Sequence, residues 1–186
     1  MSTNKNYWKD AYKESWEAAS TKEKAIKSLI ESQTGLSVIE VGLGAGTTDY
    51  ISGSAKDNNL TKGDADLYIP EKDCYIEVTG PNIPMSFSKP LWVRPDKLQN
   101  TLQKIKDGKG KLHVVFHVLT EVGSNEVKIR IIKLDKTFFE YLRNNTFIMA
   151  YPTIRGRQEK YVELPPEHEV ILNLEEFFEL LKIIKI

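Results

Sequence analysis

Cysteine is almost missing from this chain: Cys74 is the only one, which excludes an internal disulfide framework and a zinc cage built on several thiolates. A reducing, cytoplasmic setting is the expectation. No run approaches the about 18 consecutive apolar residues of a membrane span, and the polar residues 1–10 hold no apolar leader core. No membrane is expected among its partners. An excess of charge of one sign is missing too, 26 basic residues standing against 26 acidic ones. Without a global positive field, any contact with nucleic acid has to come from a local patch. Internal repeats, low-complexity tracts, a phosphate loop of the G-x-x-x-x-G-K-[ST] type and a recognisable nucleophile motif are also lacking.

What is there is the composition of an ordinary globular protein, 40% hydrophobic and 28% charged over 186 residues. That length suits one well-formed core and is short for two. A single domain over residues 1–186 is expected, with an N-terminal helix in 1–20, a core over 21–134 and an extension over 135–186.

Aromatic and small residues at spacings of three and four (Tyr7, Trp8, Ala11, Tyr12, Trp16, Ala19) predict an amphipathic helix over residues 7–19. Thr21 is a candidate cap for a second helix with Ala25, Ile26, Leu29 and Ile30 buried, stopping at Gly35. Val38, Ile39 and Val41 predict a strand over 36–42, continuing after the glycines as a bent strand over 47–51, and the polar residues 53–62 read as a loop. Two strands follow around Asp66 and Glu77, separated by the tight link 70–74. Pro81, Pro84 and Pro90 keep 80–91 irregular. A helix over 95–107 turns Leu98, Leu102 and Ile105 inward, and the apolar run 111–120 predicts a strand covered on both faces. Residues 126–134 pair with it, 137–144 form a short helix, 151–168 a linking segment, and Asn173 caps a last helix. The predicted class is α/β, a mixed central sheet flanked by helices.

Asp66 and Glu77 stand out because acids inside apolar strands (Leu67, Ile69, Ile76, Val78) cost free energy unless paired or liganded. Their oxygens, on neighbouring strands of one hairpin, suit a hard divalent cation, Mg²⁺ or Mn²⁺, which points to phosphodiester chemistry. Asp64, two residues before Asp66, projects to the same face as a further ligand or turn cap. Asp49 and Glu40 flank the glycine loop. His113 and His117 share a strand face and, like His168, read as packing residues.

The stretch Val38-Ile-Glu-Val-Gly-Leu-Gly-Ala-Gly46 resembles the first motif of class I S-adenosylmethionine-dependent methyltransferases. That fold needs a helix directly after the loop and a crossover between parallel strands. Gly53 interrupts the first, and the tight 70–74 link excludes the second. A strand bend or bulge is the expectation for the glycines.

The order helix, strand, strand with Asp66, strand with Glu77, helix (95–107), strand (111–120) resembles the core of the PD-(D/E)XK, or restriction-endonuclease-like, nuclease superfamily over residues 21–134, with D-x(10)-E between the two acids. The resemblance implies a metal-dependent nuclease acting on DNA or RNA, DNA ahead of RNA, with Asp66 and Glu77 on Mg²⁺ or Mn²⁺ and Glu23, beside Ile26 and Ile30, as the acid of the first helix. It also implies a possible homodimer. The family's lysine two residues after the glutamate is Thr79 here. Some members take the missing cation, or a glutamine, from the next helix, where Lys97, Gln99, Gln103 and Lys104 stand; Lys97, in the first turn, is the expected substitute. Arg155, Arg157 and Lys160 are candidate phosphate contacts. The alternative is a family-like fold without turnover that binds nucleic acid or inhibits a protein partner, and Thr79 keeps that reading open.

Overall fold

Nothing between Ala19 and Gly35 breaks a helix, and the chain uses that continuity. The computed structural model describes residues 5–41, 65–154 and 156–185, with side chains from residue 18 onward. The two helices expected around Thr21 are one, α1 (Lys5–Thr34). Ser20 and Thr21 lower helix propensity only by tenths of a kcal/mol each, and the buried face continues through Ile26 and Ile30. Ala25, expected inside, is exposed, while Glu23 shares the buried face. Gly35, at φ +69, ends the helix as predicted.

Six strands form the central sheet in the order β1 (Ile39–Glu40), β2 (Leu67–Ile69), β3 (Cys74–Thr79), β5 (Leu112–Thr120), β6 (Val127–Lys133), β11 (Ile171–Leu172). Only β3 and β5 run parallel; every other neighbour pair is antiparallel. A parallel pair needs a crossover, and β4 (Leu91–Val93) with α2 (Pro95–Lys106) supplies it. The mixed α/β class read from sequence is therefore present, with four α-helices among the described residues. The first predicted strand is shorter than expected, and the glycine loop, Asp49 and the 47–62 segment lie outside the described residues.

Alternation along β5 divides the core between two layers. Val114 and Phe116 pack with Ile26, Ile30, Ile76 and Phe177, beneath α1 and α4 (Leu174–Ile183). Val115 packs with Leu98, Ile132, Phe138 and Val162 on the opposite face, beneath α2 and α3 (Lys136–Arg143). Phe116 meets Phe177 edge-on at 5.0 Å with both buried, a contact whose loss to alanine costs about 3–5 kcal/mol. Ile105, expected inside, is 36% exposed in the last turn of α2.

The segment expected to be irregular or linking holds more structure than its sequence shows. β4, β10 (Tyr161–Leu164) and β7 (Ile148–Ala150) make a three-stranded antiparallel sheet. A separate hairpin joins β8 (Thr153–Ile154) to β9 (Arg157–Gln158). These strands are two to four residues long, and pairing across the fold, more than local propensity, supports them. Asn173 does cap α4, in a reciprocal capping box with Glu176. Among the described residues no helix is long and apolar enough to cross a membrane.

Candidate functional site

The hairpin between β2 and β3 builds the site. Pro70–Lys72 forms a 3-10 turn and Asp73 takes a left-handed conformation, φ 47, which reverses the chain. Leu67 faces Ile76 across the pair, and one further step of the same register sets Asp66 opposite Glu77. Leu67 and Ile76 enter the core under α1, so the alternating residues Asp66, Tyr75 and Glu77 belong to the other face, toward α2.

Each acid is held by a neighbour. One Asp66 carboxylate oxygen, Oδ2, accepts the Val78 N–H at 2.8 Å, and Glu77 forms an ion pair with Lys97 from the first turn of α2. The Lys97 and Glu77 side chains are 33% and 14% exposed. Burial pushes Asp66 above the usual carboxylate range, against the pull of Lys97 and the Val78 N–H. Burial, and then the charge of Asp66, pushes Glu77 up to about 7, while Lys97 and Lys104 draw it back. Burial lowers the Lys97 ammonium, but Glu77 and Asp66 outweigh it and hold Lys97 above its ordinary value.

Glu23 of α1 belongs to the same electrostatic group. It is 7% exposed, and burial, followed by the charges of Asp66, Glu40 and Glu77, pushes it up to about 8. Near neutrality Glu23 therefore keeps its proton. Of the residues singled out from sequence, Glu77 and Lys97 meet in an ion pair, and Asp66 and Glu23 lie within reach of their charges. Glu40, on β1, acts on the group by charge and lies opposite Leu67.

A small cleft opens beside Glu77 and Lys97, lined also by Tyr75, Asn100, Thr101, Lys104 and His113. Tyr75 stacks on His113 at 5.3 Å, and the Lys104 ammonium stands 5.7 Å above the Tyr75 ring. His113 Nε2 is 2.8 Å from the Lys109 carbonyl, and a side chain at Gly110 would collide with the imidazole, its Cβ 2.6 Å from Nε2. Sequence reasoning passed over Tyr75, Asn100 and Thr101 as site residues. Spacing was the signal: Tyr75 lies two before Glu77 on a strand, and Asn100, Thr101 and Lys104 follow Lys97 by three, four and seven on a helix.

Other candidates are placed differently. Thr79 occupies the next same-face position after Glu77, beside His117 of β5. Asp64 and Arg155 lie outside the described residues. Arg157 and Lys160 are exposed, Arg157 in the β8–β9 hairpin and Lys160 just after it, an element paired with neither larger sheet. His168 packs edge-on against Tyr141 and Phe147. Among the described residues no group of three or more His, Cys, Asp or Glu side chains is gathered closely enough to hold a metal ion, so a cation here would draw on Asp66 and Glu77 and otherwise on water or substrate. No protein-family model matches the chain, and no curated protein matches it.

Proposed function

We propose that this chain is a metal-dependent nuclease with a restriction-endonuclease-like, PD-(D/E)XK-type core, hydrolysing phosphodiester bonds of DNA in preference to RNA. The observation that carries the reading is the pairing of Asp66 with Glu77 across one hairpin, with Lys97 brought to Glu77 by the crossover helix. The order of elements from α1 to β5 supports the same family.

The donor set fits Mg²⁺ or Mn²⁺. Burial raises the proton affinity of Asp66, Glu77 and Glu23, and neighbouring acids add to it at Glu77 and Glu23; a cation would favour their charged forms. Mg²⁺ keeps several waters and takes one or two carboxylates plus phosphate oxygens, which agrees with two close protein donors. When bound, such an ion polarises a phosphoryl oxygen and acidifies a water. The chain's own residues do the rest. Asp66 and Glu77 would hold the ion, and Lys97 supplies the positive charge that Thr79 cannot, stabilising negative charge developing on the phosphorus oxygens. Glu23 holds a proton at neutral pH and would act through water. Arg155, Arg157 and Lys160 would be phosphate contacts. A cytoplasmic protein, alone or as a homodimer, suits this reading.

A second reading has its own observation. Thr79 stands where the family pattern has lysine, which favours a fold of this type that binds nucleic acid or a protein partner without cleaving. Incubation with single- and double-stranded DNA and RNA in Mg²⁺ or Mn²⁺, beside Glu77→Gln, separates the two. Cleavage lost in the variant supports the nuclease. Binding without cleavage by the parent chain supports the second reading, and cleavage surviving Glu77→Gln removes this site from the chemistry.

A further inference from the structure

One step along the same sheet face from Glu77 runs a row of side chains that the proposed hydrolysis does not use. Thr79 pairs with His117 across the parallel β3–β5 ladder, and His117 pairs with Arg130 across β5–β6. His117 and Arg130 are 4% and 3% exposed. Buried guanidinium groups normally spend all their donors. Arg130 does not: its Nη1 donates to the carbonyls of Phe87, at 3.1 Å, and Pro166, at 3.3 Å, while among the described residues Nε and Nη2 find no partner, and neither does His117 Nδ1.

The unspent atoms are the ones that matter for a ligand. Nε and Nη2 form one edge of the guanidinium, the fork that takes two oxygens of a carboxylate or phosphate at once. A second cation stands close by, since Lys22 donates to the Gly80 and Pro81 carbonyls at 3.0 and 2.7 Å and to Asn82 Oδ1 at 3.0 Å. Burial, then the charges of Arg130 and Lys22, push His117 down to about 4, so it is neutral at physiological pH. No carboxylate counters them at His117, and Glu167 is the acid whose charge reaches Arg130. Buried donors left without acceptors cost free energy that an anion on them would recover.

We propose that Arg130 and His117 form an oxyanion seat whose ligand is a phosphate of the bound nucleic-acid strand, on the same strand as the phosphate held at Asp66 and Glu77. The assignment of the strand rests on the nuclease reading; the anion chemistry does not. Arg130 lies two residues along and two strands across from Glu77, roughly 12 Å between backbones, a span of about two phosphate steps along one strand. Arg130 is 3% exposed, so a phosphate reaches the fork only if neighbouring segments move, the Phe87 and Pro166 carbonyls being the ones that hold Nη1.

The test uses the full chain in EDTA, so that cleavage plays no part. The Arg130 Nε–H resonance, assigned by its loss in Arg130→Lys, is followed while inorganic phosphate alone, and separately a short single-stranded oligonucleotide, is added. The expected result is a saturable shift with both, at lower concentration for the oligonucleotide. Arg130→Met is expected to weaken oligonucleotide binding about tenfold and to lower the slope of log K against log salt by about 0.7, one single-strand phosphate contact. A resonance unmoved by either ligand overturns the seat, as does a folded Arg130→Met with unchanged affinity and slope. A shift with inorganic phosphate alone overturns its assignment to nucleic acid. Should Arg130→Met fail to fold, the resonance of the parent chain decides. A seat that responds while Glu77→Gln still cleaves places the failure in the nuclease assignment alone.

Discussion

Replacing Glu23 by glutamine removes one buried acid and keeps its shape, and it should make the protein more stable in a way that depends on pH. In the unfolded chain Glu23 loses its proton near 4.5, whereas in the native cluster it holds on up to about 8. Between those values the native state binds a proton that the unfolded state has released, so stability falls as pH rises. The interval of about 3.5 pH units, at about 1.4 kcal/mol each, bounds the loss at about 5 kcal/mol. Part of that repulsion belongs jointly to Asp66 and Glu77, so about 3 kcal/mol is the expectation. Glu23→Gln should match the parent below about pH 4.5 and exceed it by that amount above about pH 8. With a urea slope of about 2–3 kcal/mol/M for a chain this size, the midpoint at pH 8.5 should rise by about 1–1.5 M, read by far-ultraviolet circular dichroism. Mg²⁺ should narrow the gap at pH 8.5 by stabilising the parent. A variant no more stable at pH 8.5, or equally stabilised at pH 4, would refute the electrostatic account of the cluster; a gap indifferent to Mg²⁺ counts against the cation.

Lys97→Met leaves Glu77 facing Asp66 without its ammonium. Because Lys97 is one-third exposed, the cost at pH 8 should lie between surface and buried pairs, about 1–3 kcal/mol, and single-turnover cleavage should slow at least about 100-fold. Gly80→Ala would set a Cβ 2.0 Å from the Val118 carbonyl oxygen at φ +137; a loss of about 3 kcal/mol, lowering Tm by about 6–12 °C in a thermal melt, is expected. Asn173→Ala breaks the capping box of α4 and should cost about 1 kcal/mol by urea denaturation, with Asn173→Ser close to neutral.

Local pattern carried much of this. The apolar run of β5, the alternation of β6, the Asn173 cap and the hairpin link at Pro70 to Asp73 each act within a few residues, so their signals survive in a linear reading. Lys97 was reachable too, since the first turn of a helix after the Glu77 strand is a short distance away by simple geometry. Thr21 misled for the same reason: a capping residue is a local signal, but a continuous buried face overrode it.

Sequence alone determined the mixed α/β class and the two acids of one hairpin, Asp66 just before β2 and Glu77 in β3, with Thr79 two residues on. Tertiary structure decided what those residues meet. It brought Glu23 from α1 within electrostatic reach of Asp66 and Glu77, built β4, β7 and β10 from segments of three or four residues, too short for their strand-favouring side chains to mark them in sequence, and enclosed Arg130 with an unspent fork beside His117. Periodicity records which side of an element a residue faces, whereas the partner on that side comes from segments far away in the chain, and burial sets the charge and proton affinity only once they are packed together.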